Sequence, residues 1–250
     1  MIFMTLLKRE FSQLLSSGHG IIPVFLSLAG ATILWVRFLM KAEGTAETIP
    51  ALWGLASAFG LPFLAAVAAS RGFTQDRETG MMRLMFSTPV RARWWVAGKV
   101  GAAWSLCMLY LVGMGITCHL FFRWFLPEDA QVFVSTTGFL LAVVALILQA
   151  LLWCSIGTFV SLFSRSSAST FLFSLVSCLF GPPIVILAFS YWTGGQSMQW
   201  PWIPLQTMVY DCASGFIDVR MAVGCITVSA VLIYASGIVF DALRLCATER

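Results

Sequence analysis

An all-α protein that crosses a membrane six times is what this sequence predicts, and three observations predict it. Of the 250 residues, 59% are hydrophobic and only 10% are charged, whereas soluble domains run near a quarter charged. The mean hydropathy is +0.89. Apolar runs of bilayer-spanning length, about 20 residues each, fall at 21–38, 50–69, 100–122, 134–163, 168–190 and 221–240. Six spans and short loops use up the chain, so residues 1–250 read as one membrane domain with no soluble domain of useful size.

Taken in order, residues 1–20 come first. Phe3, Leu6, Leu7, Phe11, Leu14 and Leu15 recur at three- and four-residue spacing, with Lys8, Arg9, Ser12 and Gln13 between them. That pattern predicts an amphipathic helix lying on the inner leaflet, with Lys8, Arg9 and Glu10 at the interface with membrane lipid. Apolar residues precede these charges, the reverse of a signal peptide, so the first span is expected to be retained. The run at 134–163 exceeds what a bilayer needs and predicts a tilt or an interfacial extension. Pro62, Pro182 and Pro183 are expected to kink their helices, while Gly54, Ser57 and Gly60 allow a neighbouring helix to approach closely. The segment 191–212 mixes Gly194, Gly195, Pro201 and Pro204 with Trp192, Trp200 and Trp202, a composition that fits short interfacial or re-entrant helices.

Orientation follows from the basic residues of the loops. One side carries Lys8, Arg9, Arg71, Arg77, Arg83, Arg91, Arg93, Lys99, Arg165, Arg244 and Arg250; the other carries Arg37, Lys41, Arg123 and Arg220. The positive-inside rule puts the first set, and with it both termini, in the cytoplasm. Basic excess in such a chain reports topology first, so nucleic acid is set aside as a partner.

Several chemistries lack their residues. The seven cysteines are scattered, with no C-x-x-C pair and no histidine at ligand spacing, so neither a structural metal nor a disulfide framework is expected. Gly98 and Lys99 lack the upstream glycine and the following hydroxyl residue of a phosphate-binding loop, so any ATPase must be another polypeptide. Ionisable residues are nearly missing from the span centres, where each costs about 2.5–3.5 kcal/mol and would mark an ion path. His119 and His19 read as interfacial hydrogen-bonders. An intramembrane hydrolase would need a nucleophile with its base, and none is found.

The loop 70–99 holds the remaining signal. Thr88 followed by Pro89 reads as a helix start, N-cap then first turn, leading into the third span. Arg91, Arg93, Trp94 and Trp95 would then sit at headgroup level. Ahead of them, a short helix from about residue 79 to 86 would present Met81, Met82, Leu84, Met85 and Phe86, either to a protein groove or to lipid.

The run Asp76, Arg77, Glu78, Thr79, Gly80, Met81, Met82, Arg83, Leu84, Met85, Phe86, Ser87, Thr88, Pro89, Val90, closing with Gly98 and Lys99, resembles the signature loop of type 2 ABC transporter permeases. Met81 stands where that family often has Thr, and Arg83 where it often has Glu. Gly157, Ser161, Ser164, Arg165 and Ala168 resemble the family's short inner turn between spans four and five, and Gly215, Phe216, Ile217 and Asp218 a stretch before its last span. Short outer loops bring the chain nearest to the permeases of gliding motility and of nitrous-oxide reductase maturation. The resemblance implies a permease subunit of the bacterial inner membrane that pairs with a second permease, equal or different. Two separate ATPase subunits, carrying ATP and magnesium, would dock beneath, with Asp76 to Phe86 as the coupling element for export or mechanical transmission. This chain itself would hold no cofactor and no catalytic residue. The alternative is an anchoring or assembly protein that uses the same loop without moving anything.

Overall fold

The computed structural model describes residues 2–16, 18, 20–41, 49–88, 90–125, 136–192, 203–216 and 219–248, apart from the side chains at 2, 41, 122, 125, 182–192, 203–207, 220, 221, 247 and 248. Among the described residues there are ten helices and no strand. They are α1 (Ile2–Ser16), α2 (Ile21–Lys41), α3 (Ile49–Ser70), α4 (Phe73–Glu78), α5 (Met81–Ser87), α6 (Ala92–Phe125), α7 (Thr136–Phe163), α8 (Ser167–Trp192), α9 (Ile203–Ala213) and α10 (Val219–Thr248). Each predicted span coincides with a helix, because continuous apolar runs in lipid must satisfy their backbone groups internally.

Five stretches are long and apolar enough to cross a membrane: Ile21–Met40, Ile49–Glu78, Ala92–Phe121, Thr136–Phe163 and Ala222–Cys246. In α8 the side chains are described only as far as Gly181, which leaves a shorter apolar stretch, Ser167–Gly181. The described residues are thus all-helical with five candidate spans, against the six expected. The apolar window of Ile49–Glu78 is 67% buried, against 22% for Ile21–Met40 and 28% for Ala222–Cys246. So α3 is the centre of the bundle, wrapped by α2, α6, α7, α8 and α9, while α2 and α10 lie at its edge.

Small residues set the close crossings. At the α3–α7 contact, a methyl group on Gly157 would stand 3.0 Å from the Cβ of Ala69 and 3.1 Å from the carbonyl oxygen of Ala65. Gly54 and Gly60 act as the sequence anticipates: the first faces Val209 of α9 and the second the hydroxyl of Tyr110 on α6, with no room for a side chain at either. Buried polar groups bridge the same helices. Trp53 Nε1 donates to the carbonyl of Met114 at 3.1 Å, and the Tyr110 hydroxyl donates to the carbonyl of Ser57 at 3.0 Å. Unpaired, each such group would cost about 1–3 kcal/mol. α3 remains helical through Pro62. Of the expected helices in 191–212, α9 is described, and it ends on Gly215, whose φ of +92° only glycine adopts readily. Phe216 N–H then donates to the carbonyl of Asp211.

α1 docks on the protein. Its inward side packs on the first half of α6, where Gly98 and Gly101 lie under Leu6, Leu7 and Phe3. Phe3 also meets Trp94, with ring centroids 6.2 Å apart. The apolar stripe that the periodicity assigns to the leaflet therefore covers α6, and Met4, Lys8 and Ser12 point away.

Candidate functional site in the loop between α3 and α6

The loop that the sequence singles out splits into two short helices of opposite character. Gly80 makes the split possible: it adopts φ +75°, which suits glycine, between the end of α4 and the start of α5.

α4 is rooted in the bundle by every polar side chain it owns except Gln75. Asp76 Oδ2 lies 2.6 Å from Lys99 Nζ on α6, and the same ammonium lies 2.8 Å from Glu10 Oε2 on α1. The Lys99 side chain is only 3% exposed. It also sits 5.2 Å from the ring centroid of Phe73, so one buried cation joins α1, α4 and α6. Arg77 reaches across to the last turn of α7, donating to the carbonyls of Ser164 at 2.6 Å and Leu162 at 2.8 Å. Those are carbonyls that a helix end leaves without internal partners. Glu78 does the converse for α8, accepting from the backbone N–H and the hydroxyl of Ser167, both at 2.9 Å. A carboxylate at a helix N-terminus is favoured by the free N–H groups there. Thr74 is fully buried and bonds both Thr170 on α8 and the carbonyl of Ser161 on α7. The Ser161–Ser164 stretch, marked independently in the sequence, is thus the wall that receives α4.

α5 is a cover with an open face. Met82 and Met85 are 6% and 2% exposed, and Phe86 packs edge-on against Phe240 of α10 with centroids 5.3 Å apart. Leu84, by contrast, is 61% exposed, and Arg83, Ser87, Thr79 and Glu78 are exposed beside it. Of the apolar residues expected to be presented together, Leu84 alone points fully outward, Met81 is half-buried, and Met82, Met85 and Phe86 turn inward. A seven-residue helix lying on a bundle has one outer face, and period 3.6 leaves only some of its positions there.

Two further expectations need correcting. α6 starts at Ala92, beyond the predicted start at Thr88. Thr88 is extended, with ψ 145°, and its hydroxyl donates to the carbonyl of Met85, closing α5 instead of opening the next helix. A residue before proline is pushed toward that extended region; Pro89 itself lies outside the described residues. Arg244 on α10 donates to the carbonyl of Thr88 at 2.9 Å, fixing this turn. Glu10, expected at the lipid interface, is 7% exposed because it pairs with Lys99. Arg9 stacks over Trp95, 5.8 Å from the ring centroid, and Lys8 is exposed. Sequence reasoning missed Lys99 as the centre of this ionic clamp. The available signal was a lysine set among Val96, Val100 and Ala103, too deep in an apolar stretch to be left without a partner.

A bundle of apolar helices around a central α3, with a charged clamp at one end, defines a multi-pass membrane protein. The family model of the ABC-2 family transporter proteins matches residues 4–217, and the chain belongs to that family. It is a membrane-spanning permease component of an ABC transporter, and the family implies an ABC ATPase as its partner. No curated protein matches the chain.

Proposed function

We propose that this permease transmits the ATP-driven motion of a separate ATPase into the bundle through α5 and α4, for export or mechanical transmission across the membrane. The observation that carries this reading is the junction of an open face on α5 with a helix, α4, whose polar side chains hold α1, α6, α7 and α8 together. A groove on the ATPase would take Leu84, with Arg83 and Thr79 at its rim. Because interiors are close-packed, a push on α5 displaces the elements that α4 ties instead of being absorbed locally.

The same reading takes α8 as the sixth span. Its 26 residues reach about 39 Å at 1.5 Å per residue, more than a hydrocarbon core requires. Both termini then face the cytoplasm, the side to which the positive-inside rule assigns this loop. Two permease subunits, equal or different, form the pathway, while ATP and magnesium belong to the ATPase. Among subfamilies, the short outer loops favour the gliding-motility and nitrous-oxide-reductase-maturation types.

Leu84→Cys in a Cys246→Ser background tests this directly, because Cys246 is the exposed cysteine and the other six are buried. A bifunctional thiol reagent should join Leu84→Cys to an ABC ATPase in membranes, with a yield that changes when ATP is added. No crosslink to any ABC ATPase would overturn the reading. The wild-type Cys246 should meanwhile react with an impermeant maleimide only from the cytoplasmic side.

A further inference from the structure

Between α1, the end of α3 and α4 lies a cavity of about 260 Å³, with Arg9, Gln13, Arg71 and Gln75 in its wall and Leu14 and Met81 as an apolar border. A water's share of liquid is about 30 Å³, so the space takes a group several times larger. Glu10 and Asp76 also border it, but both carboxylates are engaged by Lys99, and neither Glu10 Oε1 nor Asp76 Oδ2 is accessible at its surface. The two arginines are half-buried, and neither makes an ion pair among the described residues. Arg9 lies over the Trp95 ring instead. Lys99, Arg9 and Arg71 set against Glu10 and Asp76 thus leave one positive charge without a counter-ion.

Two guanidinium groups and two carboxamides, all of them N–H donors, suit the oxygens of a phosphate. A cation would meet the two guanidinium groups first. The depth of the cavity says where such a phosphate comes from. The 22 residues of α3 rise about 33 Å, the depth of a hydrocarbon core, and Arg71 directly follows its last residue, Ser70. Ser16 ends α1 just ahead of the first span at Ile21. Both rims therefore stand where apolar spans leave the hydrocarbon, at the level of lipid headgroups, and the border of Leu14 and Met81 suits a glyceride. We infer that this cavity binds the phosphate of an anionic phospholipid, one whose headgroup brings a negative charge and no ammonium. The single phosphodiester charge neutralises the cluster. The inference needs only the membrane level of these helix ends and is independent of ATPase coupling.

The test uses the full-length protein in detergent, titrated with phosphatidylglycerol, phosphatidylethanolamine and phosphatidylcholine of matched acyl chains and read by native mass spectrometry. Phosphatidylglycerol should bind roughly tenfold or more tightly than either zwitterionic lipid. Arg71→Gln should weaken phosphatidylglycerol roughly tenfold with an unchanged melting temperature. Arg165→Gln, which removes an exposed arginine from the turn between α7 and α8, should leave its binding within about twofold of wild type. Equal binding of the three lipids by the wild type would overturn the proposal, and that comparison decides even where Arg71→Gln misfolds. Indifference to Arg71→Gln in a folded variant, or an equal loss in Arg165→Gln, would overturn it as well, the latter by showing a general attraction to a basic face. Displacement of the lipid by micromolar soluble glycerol phosphate would assign the site to a free compound instead. Loss of ATPase binding in Arg71→Gln with phosphatidylglycerol binding intact would reassign the cavity to a protein contact.

Discussion

α4 and α5 are neighbours of six and seven residues, joined by Thr79 and Gly80, yet they face opposite ways. α4 carries Asp76, Arg77 and Glu78 and ties each of them to a neighbouring element, whereas α5 carries the apolar residues and leaves one of them, Leu84, outside. The difference teaches that polarity in this loop does not mark the surface. On α4 charge ties the bundle together, and on α5 the exposed apolar residue is the part free to meet something else.

That comparison can be broken most forcefully at Lys99. Lys99→Met leaves Glu10 and Asp76 buried without their shared cation, and removing one partner of a buried ion pair costs about 3–5 kcal/mol. The variant should melt far below the wild type in a detergent thermal scan, and an unchanged melting temperature would mean the clamp is not structural. Arg77→Ala is next. Two charge-assisted hydrogen bonds to α7 carbonyls are lost at a half-buried site, and a destabilisation of about 2–3 kcal/mol is expected in the same scan. Glu78→Ala removes the cap of α8 from an exposed position and should cost about 0.5–1 kcal/mol, visible as faster hydrogen exchange at residues 167–170. Smallest in stability is Leu84→Asp, expected within about 0.5 kcal/mol of wild type because its side chain is already in solvent.

Much of this architecture was legible beforehand. Apolar runs locate spans well because lipid permits little but helix, and the boundaries at 21, 49–50 and 163 differ from prediction by at most one residue. Gly54 and Gly60 were readable as close contacts for the same reason: in lipid, small residues are the means by which helices approach. The loop was harder. Amphipathic periodicity gives α1 and α5 an apolar side but does not say whether lipid or protein covers it, so α1 was expected on the leaflet and Met82, Met85 and Phe86 in the open. Asp76, Arg77 and Glu78 were expected as part of the coupling element, and their internal partners Lys99, residues 162–164 and Ser167 are brought to them only by the fold. Thr88–Pro89 misled by its ambiguity, since a hydroxyl residue before proline can close one helix as well as open the next.

The most direct test of the central claim is co-purification of the ABC ATPase with wild type and with Leu84→Asp, each paired with a thermal melt. Loss of the ATPase from a variant that melts like wild type is the predicted result. Retention of the ATPase by the intact, correctly melting variant would contradict the assignment of α5 as the contact and leave the loop as internal structure alone.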